Sequence, residues 1–307
     1  MCTAICDNFL CGRTLDNDIS YGERVIFLPR NYEISLLWQG KISAHDGILG
    51  VGIIKNEFPL IYDAVNESGL FMAGLNFVGN AHYLPKQAGK LNLASFELIP
   101  YVLAKCKCLK EAFEIFKDIN ITDDSFDKAL KYSQLHWIVG DKESSLVIEA
   151  TKAGIQICQN PIGVLTNNPT FDFHMTNLAN YMSLSPKSPV NQLCPNVDLP
   201  IYSRGMGSLS LPGDFSSVSR FVRGTFLKNH TRPESSLDSQ INRFFHILNG
   251  ISVPKGCVIN QDGLPIYTIY SNCYNLNDFC VYYRCYDNMK IKKFKPSSLD
   301  GSKIIEL

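Results

Sequence analysis

The sequence has no excess of either charge, because 29 lysines and arginines balance 29 aspartates and glutamates. Such a chain has no overall positive field to attract nucleic acid or an anionic membrane surface. It also lacks an apolar run near the roughly 18 residues of a membrane span, and its N-terminus lacks the basic start and apolar core of a signal peptide. We therefore expect a cytoplasmic protein with no nucleic-acid partner and no membrane insertion, which binds a small molecule or copies of itself.

The cysteines lack the pattern of a disulfide framework or a metal site. There are eleven, an odd number, scattered along 307 residues, which indicates reduced thiols. Cys106 and Cys108 form a C-x-C pair, but no second pair or nearby histidine completes a metal-binding set. We expect ordinary thiols at these two positions rather than metal ligands.

One cysteine occupies a chemically distinctive position. Cys2 directly follows Met1, and a small side chain at the second position permits removal of the initiator methionine. Cys2 would then carry a thiol and a free α-amine, and an amine that titrates near pH 8 can accept the thiol proton around neutrality. The alternative is that Cys2 is a small apolar residue that opens a strand.

The predicted elements run in the order strands, helices, strands, which is typical of an α+β protein. With 45% hydrophobic residues, the chain can bury a large core in one domain or in two small ones. β-branched and aromatic runs predict strands, and apolar residues at helical spacing predict helices. The predicted strands cover residues 3–5, 11–14, 25–28, 34–38, 48–54, 62–69, 70–77, 135–139, 145–149, 162–165, 266–271, 280–284 and 289–293, and the predicted helices cover 96–103, 109–116, 171–181, the segment around 220, and 240–248.

Four polar residues stand out near the ends of these elements. Asp16 follows a strand, Asn76 and Asn167 lie where two other strands end, and Arg220 lies in the first turns of a helix. Gly74 and Gly79 near Asn76 allow close backbone approach, so this strand end can present N–H groups to a ligand. Each residue also has an ordinary interpretation, as a turn former, a surface amide or a solvated helix charge. His136 is interpreted as a core histidine rather than a catalyst.

The segment 183–210 is rich in proline, serine and asparagine. It is too long for a passive connection in a compact domain, so we expect a functional loop or a subunit contact.

Six short motifs, taken together, resemble one known family. They are MCTA at 1–4, GRTLD at 12–16, AGLNF at 73–77, GVLTN at 163–167, LPGD at 211–214 followed by SRF at 219–221, and YSNCY at 270–274. In order and rough spacing they are similar to motifs of the choloylglycine hydrolases, the family of bile salt hydrolases and penicillin V acylases. The resemblance covers nearly the whole chain.

The resemblance implies an N-terminal nucleophile hydrolase fold, in which two stacked antiparallel sheets lie between helical layers in a four-layer αββα sandwich. It implies one such domain over residues 1–307 with Met1 removed, and a homotetramer. The two strands that carry Cys2 and Arg13 are joined by a turn that is shorter here than in relatives, so we expect a tighter hairpin.

The same resemblance gives the candidate residues their roles. Cys2 matches the family nucleophile, with its own α-amine as base, and Asp16 would hold the cationic amine in place. Arg13 and Arg220 would supply positive charge, and a positive neighbour favours the thiolate.

Two further residues match the oxyanion hole of the family. The backbone N–H of Asn76 and the side-chain amide of Asn167 would be its donors, directed at charge that appears in the tetrahedral state. The implied reaction is amide hydrolysis through a thioester, and no metal or organic cofactor has a place in it.

The implied substrates are conjugated bile salts, that is, bile acids linked to glycine or taurine. The loops around Leu15, 58–61 and Trp137 are candidates to line a pocket for the steroid. Arg204 is a candidate for the anionic end of the conjugate, because a guanidinium pairs with carboxylate and sulfonate; a solvated arginine is the alternative. A penicillin V or N-acyl homoserine lactone acylase stays open as the activity, as does an inactive binding scaffold. Asn76 favours bile salts, since relatives that prefer penicillin V often carry tyrosine there.

Overall fold

The computed structural model describes residues 1–128 and 130–307. Its strands are β1 (Cys2–Asp7), β2 (Leu10–Asn17), β3 (Arg24–Leu28), β4 (Ile34–Leu36), β5 (Gly40–Ile42), β6 (Ile48–Lys55), β7 (Phe58–Asn66), β8 (Phe71–Asn76), β9 (Leu91–Ala94), β10 (Ile119–Thr122), β11 (Leu135–Gly140), β12 (Ser145–Thr151), β13 (Gly154–Gln159), β14 (Val164–Leu165), β15 (Val258–Ile259), β16 (Pro265–Asn275), β17 (Cys280–Cys285), β18 (Asn288–Phe294) and β19 (Ile305–Glu306). The α-helices are α1 (Leu98–Lys105), α2 (Leu109–Phe116), α3 (Phe171–Asn177), α4 (Ser217–His230) and α5 (Leu237–Asn249).

Two large antiparallel sheets form the centre of the protein. Sheet I has the strand order β14-β1-β2-β16-β17-β18, with β15 added beside β16, and sheet II has the order β13-β12-β11-β8-β7-β6-β3-β19. Helices α4 and α5 pack on sheet I, whereas α1 and α2 pack on sheet II. The predicted αββα sandwich is therefore confirmed.

The layers explain the two hydrophobic cores. One core joins the two sheets and continues under α4 and α5, and the other lies between sheet II and the α1–α2 layer. β1 has five consecutive buried residues, because it is covered by sheet II on one face and by helix α4 on the other. A strand covered on both faces has no alternation of apolar and polar residues. Cys2 is thus held at the start of a strand in the middle of the molecule.

The hairpin between β1 and β2 is tight. Asp7 pairs with Leu10, and Asn8 takes the left-handed conformation with φ of 55°, which asparagine tolerates better than most residues. The predicted turn began at Cys6, but Cys6 and Asp7 belong to the strand and the turn lies at Asn8 and Phe9.

The structure adds elements that the sequence pattern did not predict. Strands β9 and β10 form a separate parallel pair of four residues each, and β13 is an edge strand whose residues are exposed or half-buried. The predicted strand 34–38 ends at Leu36, and 162–165 shortens to Val164–Leu165. Among the described residues, no helix combines the length and apolar character needed to cross a membrane.

Candidate active site

A cavity of about 350 Å³ opens beside Cys2. Its polar end is lined by Cys2, Arg13, Asp16 and Asn76, which come from β1, β2 and β8. Its other wall is apolar and is formed by Leu60, Ile61, Phe96, Ile99, Phe126 and Leu130. The cavity therefore joins a group of polar side chains to a surface suited to an apolar ligand.

Cys2 is 4% exposed and is fixed by its backbone. Its N–H donates to Oδ1 of Asn167 at 2.8 Å. Met1 continues the strand: its terminal nitrogen donates to Asp16 O, and Asp16 N–H donates to Met1 O at 2.9 Å. Met1 also lines the cavity, so it occupies space next to the thiol.

Asp16 is a buried carboxylate beside this strand end, with 1% exposure. Its Oδ1 accepts a hydrogen bond of 2.6 Å from Thr268 on β16. Its Oδ2 lies 3.4 Å from the Thr14 hydroxyl and 3.9 Å from Nη1 of Arg220. Both Oδ2 contacts are long, so this oxygen keeps acceptor capacity for a further donor.

Arg13 fills a gap in sheet II. The pairing of β7 with β8 ends at Asp63 and Ala73, and beyond that point Nη1 of Arg13 donates to Tyr62 O at 3.2 Å and to Gly74 O at 2.7 Å. The guanidinium therefore bridges two strands where they separate. Its Nη2 is buried and has no hydrogen-bond partner in the described part of the chain. This leaves a donor for the cavity.

The charge of Arg13 is balanced by buried acidic groups. Burial alone would lower the pKa of Arg13, but its electrostatic interactions with Cys2, Tyr270 and Asp63 outweigh burial, so its pKa is raised. Asp63 lies 3.8 Å from Nη1 of Arg13. It also accepts hydrogen bonds from Tyr270, Asn272 and Tyr274. Burial raises the pKa of Asp63, whereas Arg13 and these hydrogen-bond partners act to lower it; burial has the larger effect.

Arg220 acts as a clamp between α4 and β1. Its Nη1 donates to Cys2 O and to the Thr3 hydroxyl, its Nη2 donates to Asn167 Oδ1 at 2.6 Å, and its Nε donates to Phe215 O at 3.0 Å. Burial lowers the pKa of Arg220, with Asp16 and Cys2 opposing, and a guanidinium stays protonated in proteins. These four hydrogen bonds fix the positions of the groups around Cys2, and none of them involves the Cys2 thiol.

The clamp sets the orientation of the Asn167 amide. Oδ1 receives hydrogen bonds from Cys2 N–H and from Arg220, so the NH₂ group must point the other way. There Nδ2 donates to Asn76 O at 2.8 Å. An amide NH₂ has two hydrogens, so the group can donate once more beside Asn76.

The N–H of Asn76 points to the same place. Phe77 N–H donates to O of Gln134, which directly precedes β11, and successive residues of a strand direct their N–H groups to opposite edges. The N–H and C=O of Asn76 therefore face the opening beyond Ala73, where Asn167 lies. Asn167 is thus hydrogen-bonded to both Cys2 and Asn76, and the role of the two asparagines as oxyanion donors stays a prediction.

The candidate substrate residues are placed differently from one another. Leu15 lines the cavity, as do Leu60 and Ile61, but these residues belong to strands β2 and β7 and not to the predicted loops. Trp137 requires a correction: it is fully buried in the core between sheet II and the α1–α2 layer, where it packs on Gly74, and it does not line the cavity. The cavity residue of that strand is Leu135. Arg204 is exposed on the long loop and does not line the cavity.

Several residues of the site were not predicted from the sequence. Asp63 and Thr268 support Arg13 and Asp16, and Ser217 accepts a 2.8 Å hydrogen bond from Asn167 N–H. His174 Nε2 lies 2.8 Å from Asn167 O. The YSNCY motif at 270–274 contained a signal for the Asp63 cluster, because Tyr270, Asn272 and Tyr274 alternate along one strand and so share one face.

Comparisons with known proteins identify the family of the chain. The model of the family "Linear amide C-N hydrolases, choloylglycine hydrolase family" matches residues 2–305. A "Bile salt hydrolase/transferase" from Lactiplantibacillus plantarum is 43% identical over 295 residues, which cover 95% of this chain and 91% of the relative. A "Conjugated bile acid hydrolase" from Lactobacillus acidophilus is 32% identical, covering 94% of this chain and 92% of the relative.

Solved structures show the same fold. A mutant conjugated bile acid hydrolase from Clostridium perfringens superposes with a TM-score of 0.92 at 31% identity, covering 100% of this chain and 96% of that one. A penicillin V acylase from Agrobacterium tumefaciens has a TM-score of 0.77 at 18% identity, with 99% and 90% coverage, and is similar in fold. The chain therefore belongs to the choloylglycine hydrolase family, is an amide hydrolase with an N-terminal nucleophile fold, and carries a cysteine at the position that this chemistry requires.

Proposed function

We propose that the protein hydrolyses the amide bond of bile acids conjugated to glycine or taurine, releasing the free bile acid and the amino acid. One observation carries the proposal: the cavity joins Cys2 and Asn76 to an apolar wall, and the Asn167 amide is hydrogen-bonded to both Cys2 N–H and Asn76 O. A steroid fits against that wall, since apolar lining with a few directed polar groups is typical of small-molecule sites. The names of the relatives from Lactiplantibacillus plantarum and Lactobacillus acidophilus support this substrate class.

The reaction requires removal of Met1, after which residues 2–307 act as one domain. The Cys2 nitrogen then becomes an amine with donors for Asn167 Oδ1, its present partner at 2.8 Å, and for Oδ2 of Asp16. Departure of Met1 also clears the space that it occupies in the cavity. Asp16 would hold the cationic form of the amine, because opposite charges at short range stabilise each other.

The chemistry then proceeds in two halves. The amine takes the thiol proton, the thiolate attacks the amide carbon, and the resulting oxyanion accepts hydrogen bonds from Asn76 N–H and Asn167 Nδ2. The ammonium returns its proton to the leaving nitrogen as the C–N bond breaks, which leaves a thioester on Cys2. Water, deprotonated by the amine, attacks the thioester and releases the bile acid and the thiol. Arg13 donates into the site from Nη2, and Arg220 keeps Cys2 and Asn167 aligned.

The anionic end of the conjugate needs a cationic partner. Besides Arg13, the cation among the described lining residues is Lys131, which is exposed at the mouth of the cavity. We assign Lys131 to the carboxylate or sulfonate and keep Arg204 as the alternative from the long loop. Comparing Lys131→Ala with Arg204→Ala decides between them. Loss of the residue that recognises the anion should raise KM for both conjugates, and loss of the other residue should leave KM unchanged.

The long loop supports a homotetramer. Three of its apolar side chains are largely exposed: Val190 at 81%, Leu193 at 86% and Tyr202 at 78%. Exposed apolar side chains grouped in one segment mark interaction surfaces. Light scattering should give four times the chain mass, and polar substitutions at Val190 and Leu193 should reduce it. A wild-type monomer would contradict the assignment.

We place the protein in the cytoplasm. The odd number of cysteines, eleven scattered along the chain, is typical of reduced thiols rather than a disulfide framework and supports a reducing compartment. Fractionation of cells that express the protein tests the location.

A substrate panel tests the function. Released amine is measured with glycocholate, taurocholate and penicillin V at equal concentrations, using wild-type protein and Cys2→Ala as the blank. The proposal expects turnover of the two bile salts above that of penicillin V. Preferred turnover of penicillin V would replace the substrate class, and turnover of none would favour a binding scaffold.

A further inference from the structure

His136 is a buried histidine whose two ring nitrogens both have partners. It is 0% exposed on β11. Nε2 lies 3.0 Å from Thr166 O, and Nδ1 lies 3.0 Å from Glu149 Oε1 on the neighbouring strand β12. A backbone carbonyl can only accept, so Nε2 carries the hydrogen and donates to Thr166. The interpretation of His136 as a core histidine is consistent with these contacts, but its partners suggest more than packing.

The ring lies between the two segments that carry the oxyanion donors. On one side it stacks on Phe77, with ring centroids 4.2 Å apart and an interplanar angle of 7°, and Phe77 directly follows Asn76. On the other side it donates to Thr166, which directly precedes Asn167. The same side chain thus contacts the neighbour of each donor.

Glu149 fixes the position of the ring. Its Oε1 lies against Nδ1 of His136 and also accepts from Phe171 N–H at 3.0 Å. Phe171 begins helix α3, the helix that carries His174 and thereby reaches Asn167 O. His136 cannot rotate or shift without breaking a hydrogen bond at each nitrogen.

We propose that His136, held by Glu149, is a positioning residue that sets the distance between the Asn76 N–H and the Asn167 amide. The inference rests on the proposed amide hydrolysis. Two donors from different strands stabilise one oxyanion only when both lie within hydrogen-bond distance of it. His136 connects β8 to the segment after β14, which belong to different sheets. It therefore acts on the transition state without touching the substrate.

The test distinguishes a defect in the oxyanion hole from a defect in the nucleophile. His136→Phe keeps a ring to stack on Phe77 but removes both hydrogen bonds. A displacement of about 1 Å in a catalytic group lowers rates about 10²-fold, so we expect kcat to fall by that factor while KM stays within about twofold. Alkylation of Cys2 by iodoacetamide, followed by mass spectrometry of the N-terminal peptide, should keep the wild-type rate, because this displacement forms no oxyanion.

His45→Phe is the matched control. His45 is also a buried histidine, and its ring nitrogens lie 2.6 and 2.7 Å from Asp46 O and Tyr32 O, away from Cys2. Its loss should lower the melting temperature and leave kcat unchanged. His136→Gln, which restores an N–H donor for Thr166 O, should recover at least tenfold of the activity lost in His136→Phe.

The outcomes distinguish a failure of the proposed substrate from a failure of the positioning role of His136. If wild-type protein hydrolyses no bile salt, the proposed substrate is wrong, and the same variants are compared on whichever amide of the panel it does cleave. If wild-type protein is active and His136→Phe retains its kcat, the positioning role is refuted. Parallel loss of kcat and of the Cys2 alkylation rate would also refute it, because the defect would then include the nucleophile.

Discussion

Arg220→Lys distinguishes charge from geometry at the active site. Family resemblance suggested that Arg220 favours the thiolate by its positive charge, and lysine keeps that charge. The structure instead gives Arg220 four hydrogen bonds, to Cys2 O, the Thr3 hydroxyl, Asn167 Oδ1 and Phe215 O. We predict that the lysine variant loses most of its activity, because one ammonium cannot replace a planar fork with three donor nitrogens.

The magnitude follows from these contacts. Lysine can satisfy about two of the four acceptors, and each buried acceptor left unpaired costs about 1–3 kcal/mol. Asn167 Oδ1 keeps its hydrogen bond from Cys2 N–H, so we expect a loss of about 2–3 kcal/mol in the free energy of unfolding. If Arg220 no longer holds Oδ1, the Asn167 amide loses its fixed orientation and the oxyanion hole loses a donor. Removing one such donor lowers kcat by about 10²–10³.

The assay measures kcat on a conjugated bile salt and the alkylation rate of Cys2 over a range of pH. Arg223→Lys serves as control, since Arg223 lies on the same helix and binds the carbonyls of Gly250, Pro212 and Asp214, none of which lies at Cys2. We expect the control to retain kcat. If Arg220→Lys keeps kcat within about threefold while both proteins are folded, the clamp is not required, and positive charge explains the role of Arg220.

Three further predictions follow. Cys2→Ala should abolish hydrolysis with no loss of folding, whereas Cys106→Ala and Cys108→Ala should keep it; activity in purified Cys2→Ala would refute the nucleophile. A non-cleavable N-terminal tag that retains Met1 should lower kcat by about 10²–10⁴, because an amide nitrogen cannot serve as base. A tag after Leu307 should have no effect on kcat. Normal turnover by protein that keeps Met1, verified by mass spectrometry, would show that another group is the base. Burial lowers the pKa of His174 below its ordinary 6.5, so the unfolded chain binds the proton more readily than the folded one. The contribution of neutral His174 to the free energy of unfolding should therefore be fully present above about pH 6.5 and decrease as the pH falls below that value. Urea unfolding from pH 7.5 to 5 measures this slope, which should be smaller in His174→Gln; equal slopes would exclude His174 as the cause.

Much of the fold could be predicted from local patterns. Helix α2 places Leu109, Ala112 and Phe116 on one buried face, and this spacing is visible in the sequence. The edge strand β13 has no buried side chains to produce a pattern, so it was missed. Trp137 was misplaced because its position depends on Gly74 of another strand, which leaves the space that the indole fills.

The sequence allowed us to predict which residues form the site better than how they contact one another. Cys2 is distinctive because of its chemistry, and Asn76 and Asn167 because they lie at strand ends. The roles of Asp63 and His136 depend on contacts across strands far apart in sequence, such as Tyr270 with Asp63. Register and sheet packing create such contacts, and no local spacing encodes them.

The strand order has a consequence for synthesis on the ribosome. β16 lies between β2 and β17, and its Thr268 supplies the hydrogen bond to Asp16. A chain is made from the N-terminus onward, so the residues that complete the environment of Cys2 emerge nearly last. A nascent chain with its nucleophile already exposed still lacks the strand beside it. Catalytic competence should therefore arise only after release, and truncation before β16 should leave a thiol with ordinary reactivity.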